Sequence, residues 1–356
     1  MNAYSVLYAL LRSALFDSVL SRDVFEGLSE ADWEEVWRLS KEQGVGGVVA
    51  EALDKLPEGV TVPSKVKMKW IMSMLNVERW YGRQYAAAAD FAEYMARNDI
   101  STLVLKGIAV SMYYPVPSHR ECGDLDCFLG DAYEKGNVLA ESAGVKVERG
   151  YYKHSHFSYK GLDVENHQFC IGVRGSRLLK CFESHLREIA FADGVNHIGT
   201  SKLLMPSADF NALFLTVHGM THFLTEGIKL RHICDWALLL KREQGRIDWK
   251  MFYDWCDRLH YTEFANAMTD ISVRYLGLHI DEPEIRTSSL YSERILSDCF
   301  MTQGLFNKGY SPWKSRMLSV WMRLGALWKY HKVYRKSFTE ILLRQVCGFL
   351  FERKFD

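Results

Sequence analysis

The helical pattern of the chain changes at LVLKGIAVSMYYPVPSHRECGDLDCFLG, residues 103–130. This segment opens with a β-branched and leucine-rich run that stops at Lys106 and Gly107, which predicts a buried strand followed by a short helix. A loop then leads into GDLDCFLG, where Asp124 and Asp126 alternate with apolar residues. Such alternation is typical of a strand, so the segment predicts two strands separated by a helix.

The regions on either side of this segment are predicted to be helical, because their apolar residues recur at helical spacing. HFSYKGLDVENHQFCIGV predicts two further strands joined at Lys160 and Gly161. The predicted fold class is therefore α+β, with a small mixed β-sheet core flanked by N-terminal and C-terminal α-helical regions. The predicted division is an N-terminal helical region (1–98), an α/β core (99–203), a helical domain (204–312) and a basic amphipathic helical segment (313–356).

The helical regions contain several specific signals. Ser29 and Asp32 form a plausible capping box ahead of an apolar pattern with helical spacing. One long helical stretch is predicted over 66–98, and further long helical segments are predicted over 208–243 and 249–276.

The composition is that of an average soluble protein, with 48% hydrophobic and 25% charged residues among 356. Its 44 basic and 44 acidic residues give zero net charge, which disfavours a protein that coats nucleic acid. The eight cysteines include no CxxC pair, so free thiols are expected rather than a zinc site or a disulfide framework. Charged and polar residues break every apolar run, and no signal-peptide pattern is seen, so a cytoplasmic protein without a transmembrane segment is predicted.

The two aspartates of GDLDCFLG point to one face of the predicted strand, where adjacent carboxylates repel unless a cation lies between them. Hard oxygen ligands suit Mg²⁺, and the small Gly123 leaves room for a phosphate beside Asp124 and Asp126. LDVENH offers a third carboxylate, from Asp163 or Glu165, for a two-metal site that promotes displacement at phosphorus. Taken alone, an acidic pair of this kind is most often a solvated pair at a strand edge or turn.

The segment LVLKGIAVSMYYPVPSHRECGDLDCFL resembles the uncharacterised nucleotidyltransferase family of bacteria, within the DNA polymerase beta-like nucleotidyltransferase superfamily. The shared pattern is a strand, Lys-Gly, a helix ending in Tyr-Pro, an Arg, and then an Asp-hydrophobic-Asp motif. VENHQF at 164–169 resembles that family's strand with a Glu and a His. The segments 203–240 and 32–53 resemble its helical regions, so the resemblance spans roughly residues 30–245.

The resemblance implies a Mg²⁺-dependent nucleotidyltransferase that moves a nucleoside monophosphate, AMP in the first instance, from an NTP to a hydroxyl or similar acceptor. Pyrophosphate would be released, and the acceptor itself is not identified. Asp124, Asp126 and Glu165 are then the catalytic and metal-binding residues, and they would hold two Mg²⁺ ions. Glu165 is preferred to Asp163 as the third carboxylate because the neighbouring His167 also matches the family.

Lys106, Gly107, Arg120 and Gly123 are the predicted nucleotide-binding residues. The Lys-Gly turn would begin a helix over 108–114 and offer backbone N–H groups and a cation to the triphosphate, and Arg120 would add another cation. The superfamily's usual Gly-Ser loop is absent here, although the Lys-Gly form fits this particular family.

His167, His218 and His222 are predicted to line the acceptor pocket. The last two lie at i and i+4 in HGMTH, but a zinc protease motif would need a Glu where Gly219 stands, so metal ligation is not expected. His218 and His222 are therefore predicted to line the pocket or pack in the core of the helical domain.

Four other polar residues have simpler predicted roles. Arg231 and Asp235, at i and i+4, are predicted to form a helix-surface or inter-helix ion pair. His154 and His156 are predicted to be exposed strand residues.

The segment 313–356 holds ten Lys or Arg against three Asp or Glu. Such a segment can bind RNA, a membrane surface or an acidic partner, but packing of its tryptophans on the protein body is favoured. The sequence leaves two alternatives to the nucleotidyltransferase function described above. One is a catalytically weak pseudo-nucleotidyltransferase that acts as a binding or regulatory protein. The other is an RNA-directed nucleotidyltransferase, although a nucleic-acid partner is not favoured.

Overall fold

The structure, a computed structural model, describes residues 3–301 and 325–336, so most of the segment 313–356 lies outside the described residues. The α-helices of the described part are α1 (Ala3–Phe16), α2 (Glu30–Glu42), α3 (Gly46–Glu51), α4 (Ser64–Ala96), α5 (Ile108–Ser111), α6 (Tyr133–Ser142), α7 (Arg177–Ala190), α8 (Ala208–Thr225), α9 (Leu230–Glu243), α10 (Trp249–Leu259), α11 (Thr262–Ile271) and α12 (Ser292–Met301). The strands are β1 (Thr102–Val104), β2 (Leu125–Phe128), β3 (His154–Tyr159), β4 (Leu162–His167), β5 (Asn196–His197) and β6 (Leu203–Met205).

The strands form one sheet in the order β3-β4-β2-β1-β6-β5. The sheet is mixed: β2 is parallel to β4 and β1 is parallel to β6, whereas the other neighbours are antiparallel. Helices precede and follow the sheet, which confirms the predicted α+β class with helical flanks. The strands β5 and β6 were not predicted, because two or three residues are too few to give a recognisable alternation.

The hairpin between β3 and β4 turns at Lys160 and Gly161, as predicted. Both residues have positive φ, 51° and 80°, which lets a two-residue turn follow the twist of the strands. On one face of this hairpin, Phe157 and Tyr159 contact Phe91 of α4, with ring centroids 5.9 and 5.3 Å apart. The long helix α4 therefore covers this face of the sheet.

The N-terminal helices pack through aromatic side chains. The capping box predicted at Ser29 and Asp32 is confirmed: the Ser29 side chain accepts from the Asp32 backbone N–H, and the Asp32 carboxylate accepts from Ser29. Trp33, in the first turn of α2, is buried between Phe25 and Trp70. The cap thus fixes where α2 begins and which of its faces enters the core.

Some predicted helices are shorter than expected. The helix expected over 108–114 covers only α5, and the segment 208–243 is interrupted at Gly227, whose φ of 90° does not continue a helix. The segment 249–276 is likewise divided at His260, a left-handed residue that ends α10. None of the helices within the described residues has the length and apolar character needed to span a membrane.

Strand β2 determines which face of the sheet carries the polar residues. Leu125 and Cys127 belong to the buried cluster beneath α4, whereas Phe128 belongs to the larger core formed with the other helices. Because side chains alternate along a strand, Asp124 and Asp126 lie on the face opposite α4. This face is the location of the candidate site.

Candidate active site

Three carboxylates converge on the sheet face opposite α4. Asp124 immediately precedes β2, Asp126 lies in β2, and Glu165 is the direct neighbour of Asp126 in the parallel strand β4. One oxygen of each carboxylate lies within 4.8 Å of the other two. Asp163, the alternative third carboxylate, is exposed and lies outside this group.

Lys106 lies directly against the two aspartates. Its Nζ is 2.8 Å from Asp126 Oδ2 and 3.7 Å from Asp124 Oδ1. Burial favours the neutral amine, but the two nearby carboxylates outweigh it and raise the pKa of Lys106. The aspartates are therefore not the bare repelling pair that the sequence suggested, because an ammonium group lies next to both.

His167, at the end of β4, supplies a second positive charge. Its Nε2 lies 3.1 Å from Asp126 Oδ1 and 3.4 Å from Glu165 Oε2, while its Nδ1 lies 3.2 Å from the Phe169 carbonyl oxygen. A carbonyl and a carboxylate only accept hydrogen bonds, so both ring nitrogens carry protons. Although burial opposes the charge, the bonds to Asp126 and Glu165 raise the pKa of His167.

The charge of Asp126 is held in place by these two cations. Although its burial favours the neutral acid, Lys106 and His167 lower the pKa of the Asp126 carboxyl far below its ordinary value. Asp124 differs, since burial and the neighbouring Asp126 charge raise its pKa despite the opposing effect of Lys106. The two aspartates thus have opposite electrostatic environments within one cluster.

His154, the first residue of β3, and Lys153, which precedes it, also belong to this site, and neither was assigned to it from the sequence. His154 Nδ1 lies 3.4 Å from Glu165 Oε2, and the His154 side chain is only 18% exposed. Its predicted exposure is therefore wrong, whereas His156 is exposed as predicted. Lys153 forms no ion pair with any described residue, and burial lowers its pKa.

The Lys106–Gly107 turn follows β1 and reaches the cluster through strand pairing. Leu105 donates its backbone N–H to the Asp126 carbonyl, which places the next residue, Lys106, beside the aspartates. Gly107 is the N-cap of α5 and has φ 61° and ψ −112°, a conformation that residues with a Cβ rarely adopt. The turn therefore requires glycine for backbone reasons alone.

Gly123, by contrast, is not required by the protein's own packing. A Cβ built on it would meet no atom within 4 Å, and its φ is not positive. Its carbonyl accepts a hydrogen bond from the Gln84 side chain. The open space beside Gly123 and Asp124 is accessible to a ligand.

Arg120 is bound to a carboxylate of the helical region. Its Nε and Nη2 lie 2.8 Å from the two carboxylate oxygens of Asp235, and Tyr114 donates to the same carboxylate at 2.7 Å. Burial favours the neutral acid, but Arg120 lowers the pKa of Asp235. The Arg231–Asp235 ion pair predicted from helical spacing is wrong: Arg231 Nη1 instead donates to the Glu121 carbonyl, 3.3 Å away.

A cavity of about 120 Å³ adjoins the carboxylate cluster. Lys106 belongs to its wall and also contacts Asp126, so the cavity and the cluster share this side chain. His218 and His222 lie in the wall as well, whereas His167 does not. The other lining residues are Arg120, which pairs with Asp235, and ten residues of the helical region: Leu215, Thr216, Gly219, Arg231, His232, Asp235, Trp236, Phe264, Ala265 and Met268.

Three histidines meet in this cavity wall. His218 and His222 of α8 approach at Nε2, 3.1 Å apart, and one ring nitrogen of each lies within 4.8 Å of a nitrogen of His232 in α9. Burial lowers the pKa of all three. His232 could not be assigned from the sequence, because nothing in the spacing along the chain shows that α8 and α9 bring these residues together.

A family model described as an uncharacterised nucleotidyltransferase matches residues 29–277. The match begins at the Ser29 cap of α2 and includes every strand of the sheet. It also contains each carboxylate, lysine and histidine of the site described above. No curated protein and no solved structure matches the chain.

Proposed function

We propose that this chain, which belongs to the uncharacterised nucleotidyltransferase family, transfers a nucleoside monophosphate from an NTP to a hydroxyl or similar acceptor and releases pyrophosphate. ATP is the proposed donor. The observation that carries the proposal is the convergence of Asp124, Asp126 and Glu165 next to the Lys106–Gly107 turn. Such an arrangement suits phosphoryl chemistry, in which catalysis is mostly positioning and charge stabilisation.

The donor set fits Mg²⁺. It consists of carboxylate oxygens, which hard divalent cations prefer, and the Lys106 ammonium already lies 2.8 Å from Asp126 Oδ2, so the cluster accepts a cation. Asp124, Asp126 and Glu165 would hold the metal, with two ions expected when nucleotide is bound. When bound, Mg²⁺ supplies neutralisation of the phosphate charge and polarisation of the phosphoryl oxygens.

The transfer itself joins the acceptor to the α-phosphorus. The acceptor hydroxyl oxygen forms a bond to that phosphorus, the bond to the bridging oxygen of the β-phosphate breaks, and pyrophosphate leaves with that oxygen. The hydroxyl proton passes to the Glu165 carboxylate, which is half-buried and faces the cluster.

The triphosphate is bound by cations and by the Gly107 turn. Lys106 exchanges its contact with Asp126 for a phosphate oxygen, and Lys153 offers a second cation that forms no ion pair with a described residue. The open space at Gly123 admits the phosphate chain. Because Arg120 is bound on two nitrogens to Asp235, we assign it a positioning role, since it ties the loop before Asp124 to α9.

The experiment that tests this function is a product screen. The protein is incubated with Mg²⁺ and each of α-labelled ATP, GTP, CTP and UTP, over small-molecule and protein acceptors, and labelled product and pyrophosphate are measured together. The expected result is matched formation of both, lost in the Asp124→Asn variant. Pyrophosphate release that is equal in wild type and Asp124→Asn would contradict the proposal.

One observation favours a second candidate function, a pseudo-nucleotidyltransferase that binds without catalysis. Lys106 and His167 already neutralise much of the carboxylate charge in the absence of metal. Isothermal titration with ATP in the presence and absence of Mg²⁺ separates the two, because a pure interaction protein shows no metal-dependent nucleotide binding. The RNA-directed alternative depends on the segment 313–356, most of which lies outside the described residues, and stays a prediction.

A further inference from the structure

Arg231 is a cation without a carboxylate partner in the wall of the cavity. No described carboxylate lies within ion-pair distance of it, and its Nε is buried without a hydrogen-bond partner. One of its other nitrogens, Nη1, donates to the Glu121 carbonyl. A buried N–H group left unpaired is costly, so this guanidinium is suited to an added acceptor.

The guanidinium is held in place by its surroundings. Gly44 has φ 67°, and a Cβ built on it would lie 3.5 Å from Arg231 Nη1, so the side chain packs directly over this glycine. The backbone N–H of Arg231 donates to the Gln43 carbonyl, which fixes the start of α9 against the end of α2. The charge is therefore pre-positioned at the cavity.

The other charges in the cavity wall are already matched. Arg120 is paired bidentately with Asp235, and Lys106 is paired with Asp126. Arg231 is thus the cationic lining side chain with no described carboxylate within ion-pair distance. An anion entering this cavity would meet one positive charge that is not held in a described ion pair.

The histidine tautomers show what else the cavity offers. His232 Nδ1 accepts the backbone N–H of Lys229 at 3.0 Å, so a neutral His232 carries its proton on Nε2 and donates from there. His222 Nδ1 lies 2.5 Å from the Glu226 carboxylate, which only accepts, so His222 Nε2 has a lone pair. His218 Nε2 is 3.1 Å away and donates to that lone pair.

In this network His232 Nε2 is a hydrogen-bond donor in the cavity. The three histidine rings do not offer three free nitrogen lone pairs. The lone pair of His222 Nε2 is already used by His218, and Nε2 of His232 carries a proton. A metal ion would need a lone pair from each ring. An anion needs only donors and positive charge, which His232 and Arg231 supply.

We propose that this cavity binds an anionic group of the acceptor substrate, a phosphate or a carboxylate, through Arg231 and His232. Its volume of about 120 Å³ is enough for an anionic group of this size. Lys106 links the cavity to the carboxylates, so a bound acceptor extends from this anchor towards the transferred phosphoryl group. The inference rests on the proposed function for the identity of the ligand as acceptor.

The test measures anion binding directly, without metal or nucleotide. Isothermal titration of the full chain in EDTA uses inorganic phosphate in one arm and acetate in the other, which separates the two sources of the anion. Arg231→Gln is expected to raise the Kd for the anion at least about tenfold, the scale of one charge-assisted hydrogen bond. Arg231→Lys should recover part of the affinity, and the exposed Arg97→Gln should have no effect.

Two further variants locate the anion. His232→Asn keeps an acceptor in the side chain but removes the Nε2 donor, so it should also weaken binding, whereas the exposed Lys146→Gln should not. Equal phosphate and acetate affinity in wild type and Arg231→Gln would overturn the proposal. One equivalent of Zn²⁺ retained by wild type and lost in His218→Ala would also overturn it. The anion titration does not depend on the product screen for transfer. Anion binding by a protein that gives no transfer in that screen would refute the proposed function alone. Transfer by a protein that binds no anion would refute this inference alone.

Discussion

Lys106 Nζ lies 2.8 Å from Asp126 Oδ2, and this contact joins the turn after β1 to the carboxylate cluster. The same ammonium lines the neighbouring cavity, so it lies between the proposed metal ligands and the proposed acceptor anchor. Without metal, Lys106 and His167 both compensate Asp126. We therefore expect metal and nucleotide to bind together, because a metal held by Asp126 would compete with Lys106, and the phosphates would offer this lysine another acceptor.

Replacing Lys106 by Gln is expected to weaken ATP binding in saturating Mg²⁺ by about 1–3 kcal/mol, roughly 5- to 150-fold in Kd. The reason is the loss of one charge-assisted hydrogen bond to the phosphate chain. Isothermal titration checks this, with the exposed Lys146→Gln as the matched control. An unchanged ATP affinity in Lys106→Gln would show that the triphosphate binds elsewhere.

Replacing Asp235 by Asn is expected to destabilise the fold by about 3–5 kcal/mol, because it leaves the buried Arg120 guanidinium without its counter-charge. The matched control is Glu93→Gln, which breaks an exposed pair with Arg97 and should cost less than about 1 kcal/mol. Urea unfolding of both variants measures the difference. Similar small losses in the two variants would mean that the buried pair does not hold the loop to α9.

Gly107→Ala and Gly123→Ala are expected to behave differently. Alanine at Gly107 must adopt a positive φ, which should cost about 1–3 kcal/mol of unfolding free energy. Alanine at Gly123 meets no neighbouring atom, so the free energy of unfolding should be unchanged. Its methyl group would crowd a phosphate chain bound beside it, so ATP binding should weaken. Thermal unfolding and ATP titration test the pair, and an undiminished ATP affinity in Gly123→Ala would exclude close phosphate approach there.

His119 is expected to make stability depend on pH. Burial opposes its charge, but bonds to Glu51 at 3.1 Å and Glu78 at 2.9 Å raise its pKa above the unfolded value. Its contribution is therefore complete below about pH 6.5 and is lost as the pH rises through the folded pKa. The free-energy difference between wild type and His119→Gln should be larger at about pH 5.5 than at about pH 8.5. The reverse order, measured by urea unfolding, would contradict this assignment.

The parts of the fold that depend on local sequence could be predicted. The Lys160–Gly161 hairpin, the Ser29 cap and the alternation of Asp124 with Asp126 each depend on residues next to one another in the chain. Turn geometry, capping and strand alternation act over these short distances, so the sequence contains the whole signal.

The partners of site residues could not be predicted in the same way. Arg120 and Asp235 are 115 positions apart, and their pairing depends on how α9 packs against the loop before β2. The i, i+4 spacing along the chain favoured Arg231 as the partner of Asp235. For the same reason, neither the place of His232 in the cavity wall nor the contact of His167 with Asp126 could be predicted. Both contacts arise only when separate segments pack together.

The central claim is that the three carboxylates serve nucleotidyl transfer, and Asp124→Asn tests it most directly. Asp124 is the better choice than Asp126, because its pKa is raised by burial and by the Asp126 charge. A charge that the fold disfavours can be removed without loss of stability, whereas Asp126→Asn would also strip Lys106 and His167 of their shared partner.

The measurement is the rate of labelled nucleotide transfer by wild type and Asp124→Asn in Mg²⁺, with melting temperature recorded in EDTA. Asp124→Asn is expected to lose at least about 100-fold in rate. Its melting temperature should equal or exceed that of wild type. Transfer at a near-normal rate by a folded Asp124→Asn protein would contradict the account.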